Sequence, residues 1–332
     1  MLVVLALLLA FGVVGGAYFE LHRALDADKD DIVEVHSGET LRGVMAHLRG
    51  QGVVDSAQAL LLTVWVRVHG SQNGIRSGEY RLVKGSNALE LLQLLRSGKV
   101  ILHDIRFIEG WRFSQVWHQI EQDPNVEHTL GANSDMTAVV MQAIGNPGQP
   151  AEGHFFADTY RFPKGTTDVA LLKQAYQAMD RRLHVAWSSR AADLPYASPD
   201  EALIMASLIE KETAVDAERA QVAGVFLRRL KLHMKLQTDP SVIYGMGERY
   251  DGSLHSVDLH TDTPWNTYTR DGLPPTPICM PSEASIVAAL HPGDGDALYF
   301  VARGDGTHQF SATLDEHNAA VRRFQLGGKD GR

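Results

Sequence analysis

The chain opens on an unbroken apolar run. Met1 to Phe19 reads MLVVLALLLAFGVVGGAYF and carries no charged side chain. As a helix it would span ~28 Å, close to the hydrocarbon core of a bilayer. Glu20, His22 and Arg23 mark its exit. The run is longer than the apolar stretch of a signal peptide, and no A-x-A-like site precedes the polar residues. Residues 1–19 are therefore expected to be a retained single-pass transmembrane anchor. Lys/Arg bias does not set its orientation.

Residues 20–31 are short, polar and acidic and read as a linker. A small unit over 32–107 follows. Ile32 to Val35 alternates like a strand, and Ser37-Gly38 makes a turn. Leu41, Val44, Met45 and Leu48 recur at helical spacing. Ser56 is expected to cap a second helix with Leu60, Leu61, Val64 and Val68 inward. Glu79–Val83 reads as a strand, Ser86 as the start of a Leu-rich helix ending at Gly98, and Val100–Phe107 as a strand. The predicted order is β-α-α-β-α-β. Its first part, on Val35-His36-Ser37-Gly38-Glu39-Thr40-Leu41 and the helices after it, resembles a LysM module, which implies binding of N-acetylglucosamine polymers. A generic small α+β domain is the plainer reading.

Residues 108–325 form the expected second domain, with its core at 198–320. Ser114 reads as the cap of a helix through Val116, Trp117 and Ile120. Gly145–Gly153 is a Gly/Pro loop, and Leu171–Trp187 another helix. The strongest helix start is Ser198-Pro199-Asp200-Glu201, with Ser at the N-cap, Pro at N1 and Glu at N3. That helix runs to Glu210-Lys211-Glu212-Thr213. Met205, Leu208 and Ile209 centre its apolar stripe, and Glu212 lies i+7, i+4 and i+3 from them. Glu210 lies roughly 160° away on the helical wheel, beside Leu203 and Ala206. A carboxyl group on a buried face is partly desolvated and its pKa rises, as a general acid near neutral pH requires. Glu212 is thus the candidate acid. Pattern alone also allows a carboxylate paired with Lys211 or Arg219.

A further helix from Asp216 presents Val222, Val225, Phe226 and Leu230. Beyond it, Lys235 to Gly245, Asn266-Thr267-Tyr268, Gly272-Leu273-Pro274-Pro275 and His291-Pro292 mix amides, hydroxyls and aromatics. A sugar cleft needs that mixture, although ordinary turns use the same residues. Asp239-Pro240 reads as a turn or helix start.

Composition removes several alternatives. The net charge is -9 over 332 residues and no segment is dense in Lys and Arg, so nucleic acid is not an expected partner. The one cysteine, Cys279, allows no internal disulfide. No zinc-type Cys/His spacing occurs, and His255 and His260 read as surface residues. Neither a metal nor another cofactor is expected.

With these stretches in place the chain resembles the endolytic murein transglycosylases, the MltG or YceG-like family. The resemblance rests on Glu210-Lys211-Glu212-Thr213, Leu236-Gln237-Thr238-Asp239-Pro240 with Tyr244-Gly245, Asn266-Thr267-Tyr268, Gly272-Leu273-Pro274-Pro275, His291-Pro292, Tyr299-Phe300-Val301 and Glu316-His317-Asn318. Upstream, Glu109-Gly110, Glu152-Gly153 and Asp158-Thr159-Tyr160 match too. Ala157 departs from the Pro common there, and residues 274–282 lack the usual Gly and Asn-Pro-Gly.

The resemblance implies an α+β protein with a lysozyme-related catalytic domain, facing the periplasm from a bacterial inner membrane. It implies Glu212 as the catalytic residue, peptidoglycan glycan strands as substrate, and a partnership with peptidoglycan synthases. Gln237, Tyr244, Asn266 and Tyr268 are the expected sugar-binding residues. The expected reaction cleaves the MurNAc-β-1,4-GlcNAc bond and leaves a 1,6-anhydromuramic acid end. A hydrolytic muramidase, with Asp239 as nucleophile, and a non-enzymatic wall-binding scaffold are the alternatives.

Overall fold

The computed structural model describes residues 2–27, 31–36, 38–69, 74–131 and 135–326. The fold is mixed α+β and divides into two units. One holds the chain up to residue 104 with 124–127 and 161–166; the other holds 105–123, 128–160 and the chain from 167 onward.

The N-terminal unit begins with α1 (Leu2–His22). Among the described residues this is the one helix long and apolar enough to cross a membrane, as in a single-pass membrane protein. Side chains 3–16 are exposed, but Leu21, Leu25 and Ala27 are buried in the unit's own core. Residues 20–27, read from sequence as linker, are thus packed chain; residues 28–30 lie outside the described residues. The Leu25 N–H donates to the Ser86 carbonyl, Asp26 N–H to that of Val53, and Arg23 pairs with Glu20 and Asp55.

Strand β1 (Ile32–Val35) then pairs antiparallel with β2 (Gly78–Arg81), Val33 opposite Tyr80. Between them run α2 (Leu41–Gly50) and α3 (Ser56–His69), and α4 (Ala88–Ser97) follows. Ser37 of the expected turn lies outside the described residues. The face of α3 differs from expectation: Leu62 and Gln58 are buried, while Leu60, Val64 and Val68 are exposed. Apolar residues occupy both sides of this helix, so spacing alone could not choose. The cap of α4 is Asn87 rather than Ser86. Asn87 and Glu90 form a reciprocal capping box, and Gly98 closes the helix in the left-handed region at φ 68°.

Strands β3 (Leu102–Arg106), β4 (Val126–Glu127), β5 (Thr159–Pro163) and β6 (Thr166–Thr167) lie where the chain passes from one unit to the other. The remaining elements of the C-terminal unit are helical up to its final hairpin. They are α5 (Phe113–Glu121), α6 (Met136–Ala143), α7 (Asp168–Ser188), α8 (Pro199–Glu212), α9 (Asp216–Lys231), α10 (Asp239–Met246), α11 (Ser256–His260) and α12 (Glu283–Leu290). Strands β7 (Tyr299–Ala302) and β8 (His308–Ser311) pair antiparallel, and α13 (Leu314–Val321) follows. Helix α5 starts one residue before the expected cap Ser114, after Arg112.

Helix α8 is the axis of this unit. Every residue from Ala202 to Ile209 is buried, so the apolar stripe read from sequence is part of an all-round core surface. Helices α7, α9, α10 and α12 pack around it. Ser198 caps it, accepting from the Glu201 N–H, and the Glu201 carboxylate accepts from Ala197 N–H at 2.7 Å, one residue upstream of a standard capping box. In α9, Gly224 permits a close approach: a Cβ there would lie 2.4 Å from the Gly293 carbonyl oxygen.

Candidate active site

The last turn of α8 brings Glu212 to an open cleft of about 440 Å³, a size suited to a small ligand or a few sugar rings. Gln237, Asp239 and Tyr268 share this cleft, with Arg229, Tyr299, His308 and His317 from α9, the β7–β8 hairpin and α13.

Glu212 has one hydrogen-bond donor, the Thr238 hydroxyl, 2.9 Å from Oε2. Burial pushes its pKa up to about 7; the neighbouring Asp239 charge acts the same way, while Thr238 and Arg229 oppose it. At neutral pH the group therefore populates both the proton-donating and the proton-accepting form, the requirement for one residue to act first as acid and then as base.

Two loops hold this environment in place by bonding to each other. The Gln237 N–H donates to the Thr267 carbonyl at 3.2 Å, and the Thr238 N–H to the Thr267 hydroxyl at 3.0 Å. Ser241, buried at the start of α10, bonds both Thr238 and Thr267. Gln237 has a positive φ of 51°, a costly conformation for a residue with a Cβ, kept by this surrounding network. Asp239 begins α10 and accepts from the Tyr268 hydroxyl at 2.5 Å. Burial, then this bond, pushes the Tyr268 phenol up and keeps it neutral.

Two expected sugar-binding residues stand elsewhere. Asn266 is fully buried; its amide donates to the carbonyls of Asp258, Leu259 and Thr261, and its Oδ1 accepts from the Tyr268 N–H at 2.8 Å. All its polar capacity goes into the loop that carries Tyr268. Tyr244 does not line the cleft either. Its hydroxyl donates to Glu152 at 3.1 Å. Glu152 also accepts from the Phe113 N–H, and burial pushes it up to about 7.

Arg229 is the main cleft residue that sequence reasoning missed. It is buried, with Nε donating to the Leu298 carbonyl at 2.7 Å and Nη1 to the Leu236 carbonyl at 3.0 Å and the Gln237 side chain at 3.3 Å. Its guanidinium lies 5.1 Å from the Tyr299 ring centre. Arg228-Arg229 near a helix C-terminus has the pattern of an ordinary complement to the helix dipole, so nothing in the spacing sets Arg229 apart. His317 also went unassigned. Its ring stacks on Tyr299 at 5.2 Å, and its Nδ1 is buried without a partner.

Glu210, on the other side of α8, is differently engaged. Its Oε2 accepts from the Ser282 N–H at 3.0 Å, the Ser282 hydroxyl at 2.5 Å and the Ser285 hydroxyl at 2.6 Å. Ser282 is the N-cap of α12, so this carboxylate ties the end of α8 to the start of α12.

Residues 33–323 match the YceG-like family. An endolytic murein transglycosylase of Bacillus subtilis (strain 168) is 31% identical, over 94% of this chain and 91% of that protein. The endolytic murein transglycosylase of Streptococcus pneumoniae R6 is 27% identical over 96% of this chain, which spans 63% of that longer protein. The crystal structure of a yceG-like protein from Listeria monocytogenes superposes with a TM-score of 0.54 at 26% identity, covering 88% of this chain and 99% of that one. The chain belongs to the YceG-like family.

Proposed function

We propose that this protein is an endolytic peptidoglycan lytic transglycosylase with Glu212 as its acid and base. The carrying observation is the placement of the Glu212 carboxyl: half-buried at the cleft wall, with the Thr238 hydroxyl as its donor, where desolvation pushes its pKa up to about 7. Protonated Glu212 gives its proton to the glycosidic oxygen between N-acetylmuramic acid and N-acetylglucosamine. The resulting carboxylate takes the proton of the muramyl 6-hydroxyl, which closes a 1,6-anhydro ring. The nucleophile is tethered to the substrate, so neither water nor a second carboxylate enters the step. Asp239 supplies a fixed negative charge beside the positive charge that develops at the sugar, and Gln237 and Tyr268 present polar groups to the strand. The names of the relatives support the substrate class.

The N-terminal unit fits a LysM-like glycan-binding module, supported by the order β1-α2-α3-β2 and the antiparallel β1–β2 pair. With α1 as anchor over residues 1–19, and domains at 32–107 and 108–325, the lysozyme-related catalytic domain would face the periplasm beside the strands it cuts. Cutting nascent strands would place it next to peptidoglycan synthases.

The test is mass spectrometry of peptidoglycan digested by the full chain in detergent, wild type beside Glu212→Gln. Internal cuts ending in 1,6-anhydromuramic acid, absent with the variant, are the expected result. Reducing muramic ends would make the enzyme a hydrolase, and no cleavage by wild type would leave a wall-binding scaffold.

A further inference from the structure

A second open pocket, about 510 Å³, lies on the Glu210 side of α8. Arg106, Glu109, Asp158, Glu210 and Arg219 are the charged residues of its wall. Arg219, in the first turn of α9, is 8% exposed. One of its nitrogens pairs with the exposed Asp216, but Nε is buried with no acceptor. The charge of this largely buried guanidinium is offset only by the exposed Asp216, so an anion arriving in the pocket would gain by pairing with its accessible edge. The planar fork selects carboxylate or phosphate. Exposed Arg106 adds a second guanidinium at the rim.

The rest of the wall chooses between those two anions. Glu109 and Asp158 are exposed acidic groups, and the Glu210 carboxylate stands beside them. Asp158 has a distant partner in Arg182 at 3.8 Å. Three carboxylates repel a phosphate dianion. A zwitterion with a carboxylate and an ammonium group matches both signs.

We infer that the Arg219 pocket is a second binding site for a short zwitterionic peptide of the kind that branches from peptidoglycan glycan strands, its carboxylate on Arg219 and Arg106 and its ammonium group on Glu109 and Asp158. This rests on the peptidoglycan reading above. The pocket and the cleft flank the last turn of one helix, since Glu210 and Glu212 are two residues apart. A strand lying in the cleft would need to send its peptide past about 10–12 Å of helix end to reach Arg219. The site would let the enzyme distinguish strands that carry peptides from bare ones.

The experiment is calorimetric titration of the full chain in detergent with a synthetic tetrapeptide that contains one diamino acid and ends in a free carboxylate. Saturable binding is expected. It should weaken by about tenfold or more in Arg219→Gln, in Arg106→Ser and when the peptide C-terminus is amidated. Arg106 is exposed, so its variant reports the pocket without risk to the core. Absence of saturable binding, or binding indifferent to Arg106→Ser and to amidation, overturns the inference; so does inorganic phosphate displacing the peptide with equal affinity. Glu212→Gln should bind the peptide as wild type does. Peptide binding without anhydro products would therefore sink the reaction and leave the pocket standing, and the reverse result would sink the pocket alone.

Discussion

Glu210 and Glu212 sit two residues apart on one helix, and their surroundings give them opposite tasks. Glu210 receives three donors on one oxygen and holds two helices together. Glu212 receives one donor, faces a cavity, and is pushed up to about 7 by burial. Burial is common to both regions and so does not mark the reactive one. What separates them is how far donors compensate the charge. A carboxylate saturated with hydrogen bonds is a fastener, whereas one left short of them is poised to carry a proton.

The largest expected effect breaks the comparison at Glu212. Glu212→Gln should lower kcat by a factor of about 10³ or more, within the range for a lost general acid, while the protein stays folded. The same change should raise stability above neutral pH. The folded-state pKa of about 7 lies above the usual 4.5, so the stability tied to this group is full below about 4.5 and is lost as pH rises through 7. Glu152, also at about 7, adds a second contribution of the same sign. Wild type should therefore melt lower at pH 8.5 than at pH 6, with Glu212→Gln recovering about 1 kcal/mol of that difference. A pH-independent difference between the two proteins would contradict the burial of Glu212.

Glu210→Ala comes next in size and should act on stability. Removing the shared acceptor leaves the Ser282 N–H unpaired and takes one partner from each of the Ser282 and Ser285 hydroxyls, which keep their 3.3 Å bond to each other, a loss of about 1–3 kcal/mol visible as a lower urea midpoint. A Glu210→Ala protein that keeps wild-type stability but loses cleavage would exchange the two assignments.

Much of this contrast was legible in the sequence. Ser198-Pro199 announces the start of α8, and helical spacing alone puts Glu212 and Glu210 on different faces. The partners of Glu210 were not legible, because Ser282 and Ser285 lie 72 and 75 residues downstream and meet it only through packing. Helix α3 misled for a related reason: with apolar residues on both sides, contacts elsewhere in the chain decide which stripe is buried. Asn266 and Tyr244 have the residue types of a sugar site, but backbone carbonyls and Glu152 claim their polar groups first. A buried arginine such as Arg229 is invisible to pattern because its partners are carbonyls, which every residue possesses.

The smallest expected effects are also the most specific, because they carry opposite signs. The Thr238 hydroxyl stabilises the ionised form of Glu212, and the Asp239 charge destabilises it. Thr238→Val should raise the pKa of Glu212 and move the alkaline limb of kcat/KM upward. Asp239→Asn should lower that pKa and move the limb downward. Each shift should be about half to one pH unit, a small change in free energy read as a displaced curve. The limb exists because the first step needs a protonated acid: activity should fall about tenfold per unit above the pKa. Asp239 also bonds Tyr268, so Asp239→Asn will lower the plateau as well, but plateau height and limb position are separate readings of one profile. Opposite displacements would identify the titrating group as the one lying between Thr238 and Asp239. Displacements of the same sign, or none, would mean that the limb belongs to another group, with Glu152 the first to examine because it titrates in the same range.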